Sequence, residues 1–246
     1  SNDPGSITVA IQSATSARST MMDTANTMVN GEYLFSGINT DVQPLTDKTT
    51  ATSAAIVTQL NTYATGLGKA VSDLTGAEMS TFITTTVEPM FSETAWTDPT
   101  TGWSQASSQN MTSRISNSEV IESSTNANSE GMRYFALASV MTSALLGQNL
   151  SSDAMSTVSK QAISYTTKAT SGLVTQASQL GLSQERVKKS NDALDAQSNI
   201  IKNKLVDLQG VDPYEASTLV KTLETQLETA YTIVSKIQQL SLVNYL

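Results

Sequence analysis

Neither cysteine nor histidine occurs anywhere in the 246 residues. The first absence excludes a disulfide framework and a thiolate metal site. The second removes the usual general base, the Ser-His and Cys-His nucleophile pairs, the His-Glu-x-x-His zinc helix and the commonest metal ligand. Catalysis would have to rest on carboxylates alone. Glu88, Glu93, Asp98, Glu119 and Glu122 do gather in one part of the chain, but no spacing singles out a pair, and they read as a solvated acidic surface. No catalytic residue, metal or cofactor is therefore assigned, and the chain does not read as an enzyme. Cations are scarce as well: 14 Lys and Arg stand against 22 Asp and Glu, a formal charge of −8. A phosphate-binding surface needs concentrated positive charge, which argues against nucleic acid and equally against an acidic membrane. No apolar run approaches the roughly eighteen residues of a membrane span. The start, Ser1-Asn2-Asp3-Pro4-Gly5, has neither an initiator Met nor the charged and apolar regions of a secretory signal; it reads as a cut end, either an expression scar or a fragment of a longer protein.

What is present suits long helices packed through small residues. Thr, Ser, Ala, Asn and Gln dominate, hydrophobic residues make up 39% and aromatics only 5%. Residues 7 to 30 predict a helix, with Ile7, Ile11, Ala14, Ala17, Met21, Ala25 and Met28 at mostly three-or-four spacing. Asn30-Gly31 is a turn dipeptide, after which Tyr33-Leu34-Phe35-Ser36-Gly37 is a short apolar run closed by glycine. Residues 51 to 75 predict a second helix, weakened by Gly66 and Gly68. The β-branched run Thr81 to Val87 predicts a strand, and residues 110 to 125 a hairpin turning near Asn117-Ser118. Trp96 and Trp103 flank a turn at Asp98 to Gly102. They form either the core of a small sheet or a surface that binds a glycan or a host protein.

Strand signals stop after Asn128. Residues 128 to 147 predict a helix ending near Gly147, and Ser151 or Ser152 caps the next, which Gly172 and Gly181 interrupt. A polar helix follows over 183 to 209, in which Val187, Leu194, Ile201 and Leu208 recur every seven residues. The last helix is the most regular. Asp212 is an N-cap, Pro213 takes the first helical position, and Glu215 lies where a capping box puts its acid. Behind them Ala216, Val220, Leu223, Leu227, Ala230, Val234 and Ile237 alternate four and three apart on one seam, with Leu219, Ile233 and Leu240 beside it. A helix from Asp212 to Leu246 would be about 50 Å long, and its stripe demands a partner. The fold class is mainly α with an inserted β-containing domain, α+β, arranged as an elongated helical rod plus a side domain. Residues 1–35 form the N-terminal side of the rod, 36–127 the inserted outer domain with its hairpin, 128–211 the C-terminal side of the rod and 212–246 a C-terminal assembly helix.

Two stretches carry a resemblance. Asp212-Pro213-Tyr214-Glu215-Ala216-Ser217-Thr218, Leu223 to Gln226 and Leu240-Ser241-Leu242-Val243-Asn244-Tyr245-Leu246 are similar to the C-terminal helix of the flagellin superfamily, which includes flagellins and the hook-associated proteins related to them. Asn30-Gly31-Glu32-Tyr33-Leu34-Phe35-Ser36-Gly37, followed by Asp41 to Asp47, resembles the segment that leaves the N-terminal helices in the hook–filament junction branch of that superfamily, the third hook-associated protein, in its alphaproteobacterial form. The resemblance implies a structural subunit of the extracellular bacterial flagellum, exported unfolded by the flagellar type III apparatus. It implies a coaxial rod built from both ends of the chain and a variable middle domain, with roughly a hundred further residues before Ser1. Its implied partners are copies of itself, the first hook-associated protein on the hook side, flagellin on the filament side and an export chaperone. The residues it points to for assembly are Leu219, Leu223, Leu227, Val234, Ile237, Leu240, Leu242 and Leu246. Filament flagellin itself is the alternative within the same class, and a flagellin-like surface protein that binds a glycan or a host protein through Trp96 and Trp103 is the alternative outside it.

Overall fold

The fold comes from a computed structural model that describes residues 3–243, with side chains through residue 239. It is mainly α with a few short strands. The chain divides into two compact units, Ser1–Ser190 and Asn191–Leu246.

The first unit opens with helix α1, Pro4–Ala25. Asp3 caps it by accepting from Ser6 N at 3.2 Å, and Pro4 supplies a preset φ at a position whose N–H has no helical partner. The helix is shorter than its periodicity predicts. Asn26 leaves it and pairs with the backbone of Leu45 in both directions, Nδ2 donating to Leu45 O and Leu45 N donating to Oδ1, each at 3.0 Å. Strands β1, Met28–Val29, and β2, Glu32–Tyr33, then pair antiparallel around Asn30-Gly31. Both turn residues have positive φ, 54° and 87°, as a two-residue hairpin turn that follows strand twist requires.

Helix α2 runs Thr49–Gly66, a 3-10 turn covers Val71–Asp73, and α3 covers Gly76–Phe82. At α3 the capping box is complete: Glu78 N donates to Thr75 Oγ1 at 3.2 Å, and Thr75 N donates to Glu78 Oε2 at 2.8 Å. The chain continues as a π-turn, Ile83–Val87, and a 3-10 turn, Glu88–Phe91. The strand expected at Thr81 to Val87 is therefore helical. The threonines that suggested β structure turn their hydroxyls back onto the helix, Thr84 to Ser80 O at 3.0 Å and Thr85 to Thr81 O at 2.7 Å, while Phe82, Ile83 and Val87 are buried. Burial overrides the local preference of β-branched residues. Pro89, which has no N–H to donate, follows immediately.

After the single turn α4, Glu93–Trp96, strands β3, Thr112–Arg114, and β4, Val120–Glu122, form the predicted hairpin. Helix α5, Glu130–Leu145, is buried all round from Ala136 to Thr142, as suits a central helix. Helix α6 is a single helix of 58 residues, Ser152–Gln209. The interruption expected at Gly172 and Gly181 does not occur: a glycine costs a helix about 1 kcal/mol, and no proline lies in the segment to remove a donor.

One core joins these elements. Met21 and Ala25 of α1, Ile56 and Leu60 of α2, Met79, Phe82 and Trp96 of the middle segment, Leu137 and Met141 of α5, and Val158 and Tyr165 of α6 all belong to it. Residues 36–127 thus contribute to the same core as the helices that flank them. The second unit holds the end of α6 and helix α7, Pro213–Val243. No helix among the described residues is long and apolar enough to cross a membrane.

Candidate assembly surface

Along α6 the buried positions are Ala154, Val158, Tyr165 and Ala169. They recur at helical spacing, and past Ala169 no described residue of α6 is buried. The heptad row predicted further on is open to solvent, Leu194 and Ile201 more than half exposed. Helix α7 goes further still. No described side chain of it is buried, and Leu219, Leu223, Leu227, Val234 and Ile237 are 51–61% exposed. Leucine, valine and isoleucine thus line one side of α7 without cover among the described residues, an exposed apolar row of the kind that marks interaction surfaces.

The start of α7 is fixed locally. Asp212 Oδ1 accepts from Tyr214 N at 2.8 Å and Asp212 O accepts from Ala216 N at 2.9 Å, with Pro213 opening the helix and Glu215 in its first turn. The threonines along the helix are also satisfied locally. Thr218, Thr222, Thr225, Thr229 and Thr232 each donate to the carbonyl four residues back, at 2.7–3.0 Å. Their hydroxyls are satisfied within the helix and their methyl groups are left for packing. Of the residues implicated in assembly, Leu246 lies outside the described residues, as do the side chains of Leu240 and Leu242 and the motif Asn244-Tyr245-Leu246.

Trp96 and Trp103 do not form a ligand surface. They are 0% and 2% exposed, and stack face to face with ring centroids 5.7 Å apart and planes 6° apart. Trp96 Nε1 donates to Ala127 O at 3.2 Å, the bond a buried indole needs. Nor do they belong to a sheet: Trp96 ends α4, and Phe91 from the 3-10 turn packs 6.2 Å from Trp103. The acidic residues also find separate structural roles. Glu88 accepts from Tyr165 Oη at 2.8 Å and lies 4.0 Å from Lys168 Nζ, Asp98 caps the backbone of Thr100 and Thr101, and Glu119 lies 3.8 Å from Arg186 Nε. Hydrogen bonds from Thr101 and Thr100 hold the Asp98 carboxyl below its usual range.

An apolar groove of about 580 Å³ opens in the first unit, lined by Ala17 and Met21 of α1, Met132 and Phe135 of α5, Leu173 of α6, and Phe35. Nothing in the sequence marks it, because its walls come from four distant stretches.

Residues 163–246, the C-terminal third of the chain, match the family model of the bacterial flagellin C-terminal helical region. No curated protein and no solved structure matches the chain. The matched segment takes in most of α6 and the whole of α7, the part with the exposed row. On that ground the chain is a structural subunit of the bacterial flagellum rather than an enzyme. It associates with its own kind, and its place is the extracellular flagellum.

Proposed function

We propose that the chain joins the flagellar hook to the filament by helical self-assembly, with the apolar row of α7 as its assembly surface. The observation that carries this is the exposure of Leu219, Leu223, Leu227, Val234 and Ile237 on a 31-residue helix with no buried described side chain. Each such residue that passes from water into a neighbouring subunit contributes about 1.5–3 kcal/mol, and repetition along a polymer multiplies modest terms. By sequence spacing the row would run on through Ser241 and Asn244 with Leu240 beside it, and Leu240, Leu242 and Leu246 are assigned to assembly on the resemblance.

The junction position is supported by the segment from Asn30 to Gly37. Ser36 forms a β-bridge with Asn126, and Gly37 N donates to Thr125 O at 3.3 Å. Gly37 has a φ of 63°, and a Cβ there would stand 2.4 Å from Ser107 O. The stretch that resembles the junction branch is thus a built joint between α1 and the middle segment. In this reading the first hook-associated protein lies on one side, flagellin on the other, and a chaperone accompanies export.

The test is removal of Ser241–Leu246, beside the substitution of Leu223 and Leu227 by Glu. Cells carrying either form should have hooks without attached filaments; normal filaments and motility would overturn the assembly role. Filament flagellin is the second reading, favoured by the family match itself. Immunogold labelling separates the two: a few copies at the hook tip support the junction, and labelling along the filament supports flagellin.

A further inference from the structure

Two glycines lie within α6, and packing accounts for only one of them. A Cβ on Gly172 would collide with the backbone of Gly131, whereas a Cβ on Gly181 would meet nothing within 4 Å. Its neighbours Leu180 and Leu182 are 44% and 58% exposed. Glycine in a helix interior weakens the helix relative to alanine. Around residue 181 no side chain is buried, and the glycine makes this turn weaker than an alanine would.

The β3–β4 hairpin bridges that point. On the N-terminal side Gln176 Nε2 donates to Thr125 Oγ1 and, at 2.9 Å, to Asn126 O. On the C-terminal side Ser190 Oγ donates to Ile115 O at 2.6 Å, and Arg186 Nε lies 3.8 Å from Glu119 Oε1. Between these anchors the hairpin is kept stiff by its own ladder, by Ser123 N donating to Met111 O at 2.8 Å, and by a hydroxyl pair, Ser113 to Ser123, at 2.9 Å. The chain leaving β4 grips α6 before Gly181, and the tip of the hairpin grips it after.

We infer that the β3–β4 hairpin is a splint laid across a hinge in α6 at Gly181. With the tip anchors made, the helix stays closed through residues 178 to 190; with them released, it opens there first. The device acts within the first unit and does not depend on the assembly role of α7.

Hydrogen exchange on the full chain, followed by mass spectrometry, tests this. Glu119→Ala combined with Ser190→Ala removes both tip anchors, and exchange over residues 178–190 should become about tenfold faster, the scale of losing one hydrogen bond and a weak ion pair. The alanine at 190 favours helix, so its own bias runs against this outcome. Adding Gly181→Ala should bring the rate back to within about twofold of the parent, because the weak turn is then repaired. Unchanged exchange in the anchor variant, or acceleration that Gly181→Ala does not reverse, overturns the hinge. Equal acceleration in α5 overturns it too, since the hairpin would then support the whole unit rather than one turn of helix.

Discussion

Gly131 of α5 and Gly172 of α6 meet backbone to backbone. A Cβ on Gly172 would stand 2.8 Å from both the N and the Cα of Gly131, and one on Gly131 would stand 2.7 Å from Leu173 N. Only glycine at both positions allows the two helices to cross this closely. Met132, Phe135 and Leu173, immediately beside the crossing, line the apolar groove, so the crossing also sets how those side chains converge.

Gly131→Ala and Gly172→Ala should each destabilise the chain by about 1–3 kcal/mol, the range for overpacking a tight contact. Urea unfolding followed by circular dichroism measures this. The double variant should lose less than the sum, because one displacement of the helices relieves both clashes.

The tryptophan pair carries a separate expectation. Trp96 is fully buried against Trp103, so Trp96→Ala should cost about 3–5 kcal/mol. Trp96→Phe should cost less, losing the bond to Ala127 O while keeping most of the apolar contact. The parent's tryptophan emission should be that of buried indole and shift to longer wavelength on unfolding; emission already at the solvent-exposed position in the folded chain would contradict the stack.

Acid should reach the α3 cap before it reaches the core. The Lys69 ammonium, 2.6 Å from Glu78 Oε1, and the Thr75 backbone N–H lower the Glu78 carboxyl from 4.5 to about 2. The unfolded chain takes up this proton first as pH falls. The stabilisation is therefore complete above about pH 4.5 and is lost as pH drops from there towards about 2. The difference in melting temperature between the parent and Glu78→Gln should be largest at neutral pH and shrink through that window. A difference that stays constant from pH 7 to 2 would exclude the effect.

Alkali should act through Tyr165. Burial first, then the hydrogen bond and charge of Glu88, push its phenol well above the usual value. An unfolded tyrosine ionises near pH 10, so the contribution is present below that pH and lost as pH rises above it. Tyr165→Phe should cost about 1.5–3 kcal/mol near neutral pH by removing a hydrogen bond to a carboxylate, and its stability should fall less steeply than the parent's between pH 9 and 11. Parallel profiles would remove Tyr165 from the alkaline response.

Where apolar periodicity was strong, the helices were legible in the residues. Helices α1, α2, α5 and α7 and the turn at Asn30-Gly31 follow from spacing and turn chemistry, with differences confined largely to where helices end, such as the stop that Asn26 makes by pairing with Leu45. Thr81 to Val87 was misleading, because β-branched residues report how well a side chain suits a pleated surface, and here that preference yields to burying Phe82, Ile83 and Val87 from a helix. The tryptophans could be placed near a turn but not inside or outside, since neither position says what lies above the ring.

The candidate surface divides the same way. By itself the sequence determined that Leu219, Leu223, Leu227, Val234 and Ile237 share one side of a capped helix, because a 3.6-residue period and a proline after an aspartate are local facts. It also determined that no histidine or cysteine chemistry is available. Only the tertiary structure decided that the row on α7 is open while the middle of α5 is buried all round, that α6 runs unbroken past both glycines, and that one of those glycines is required by a helix crossing while the other has empty space beside it. Periodicity specifies which residues face together; what covers them depends on chain segments far away in sequence.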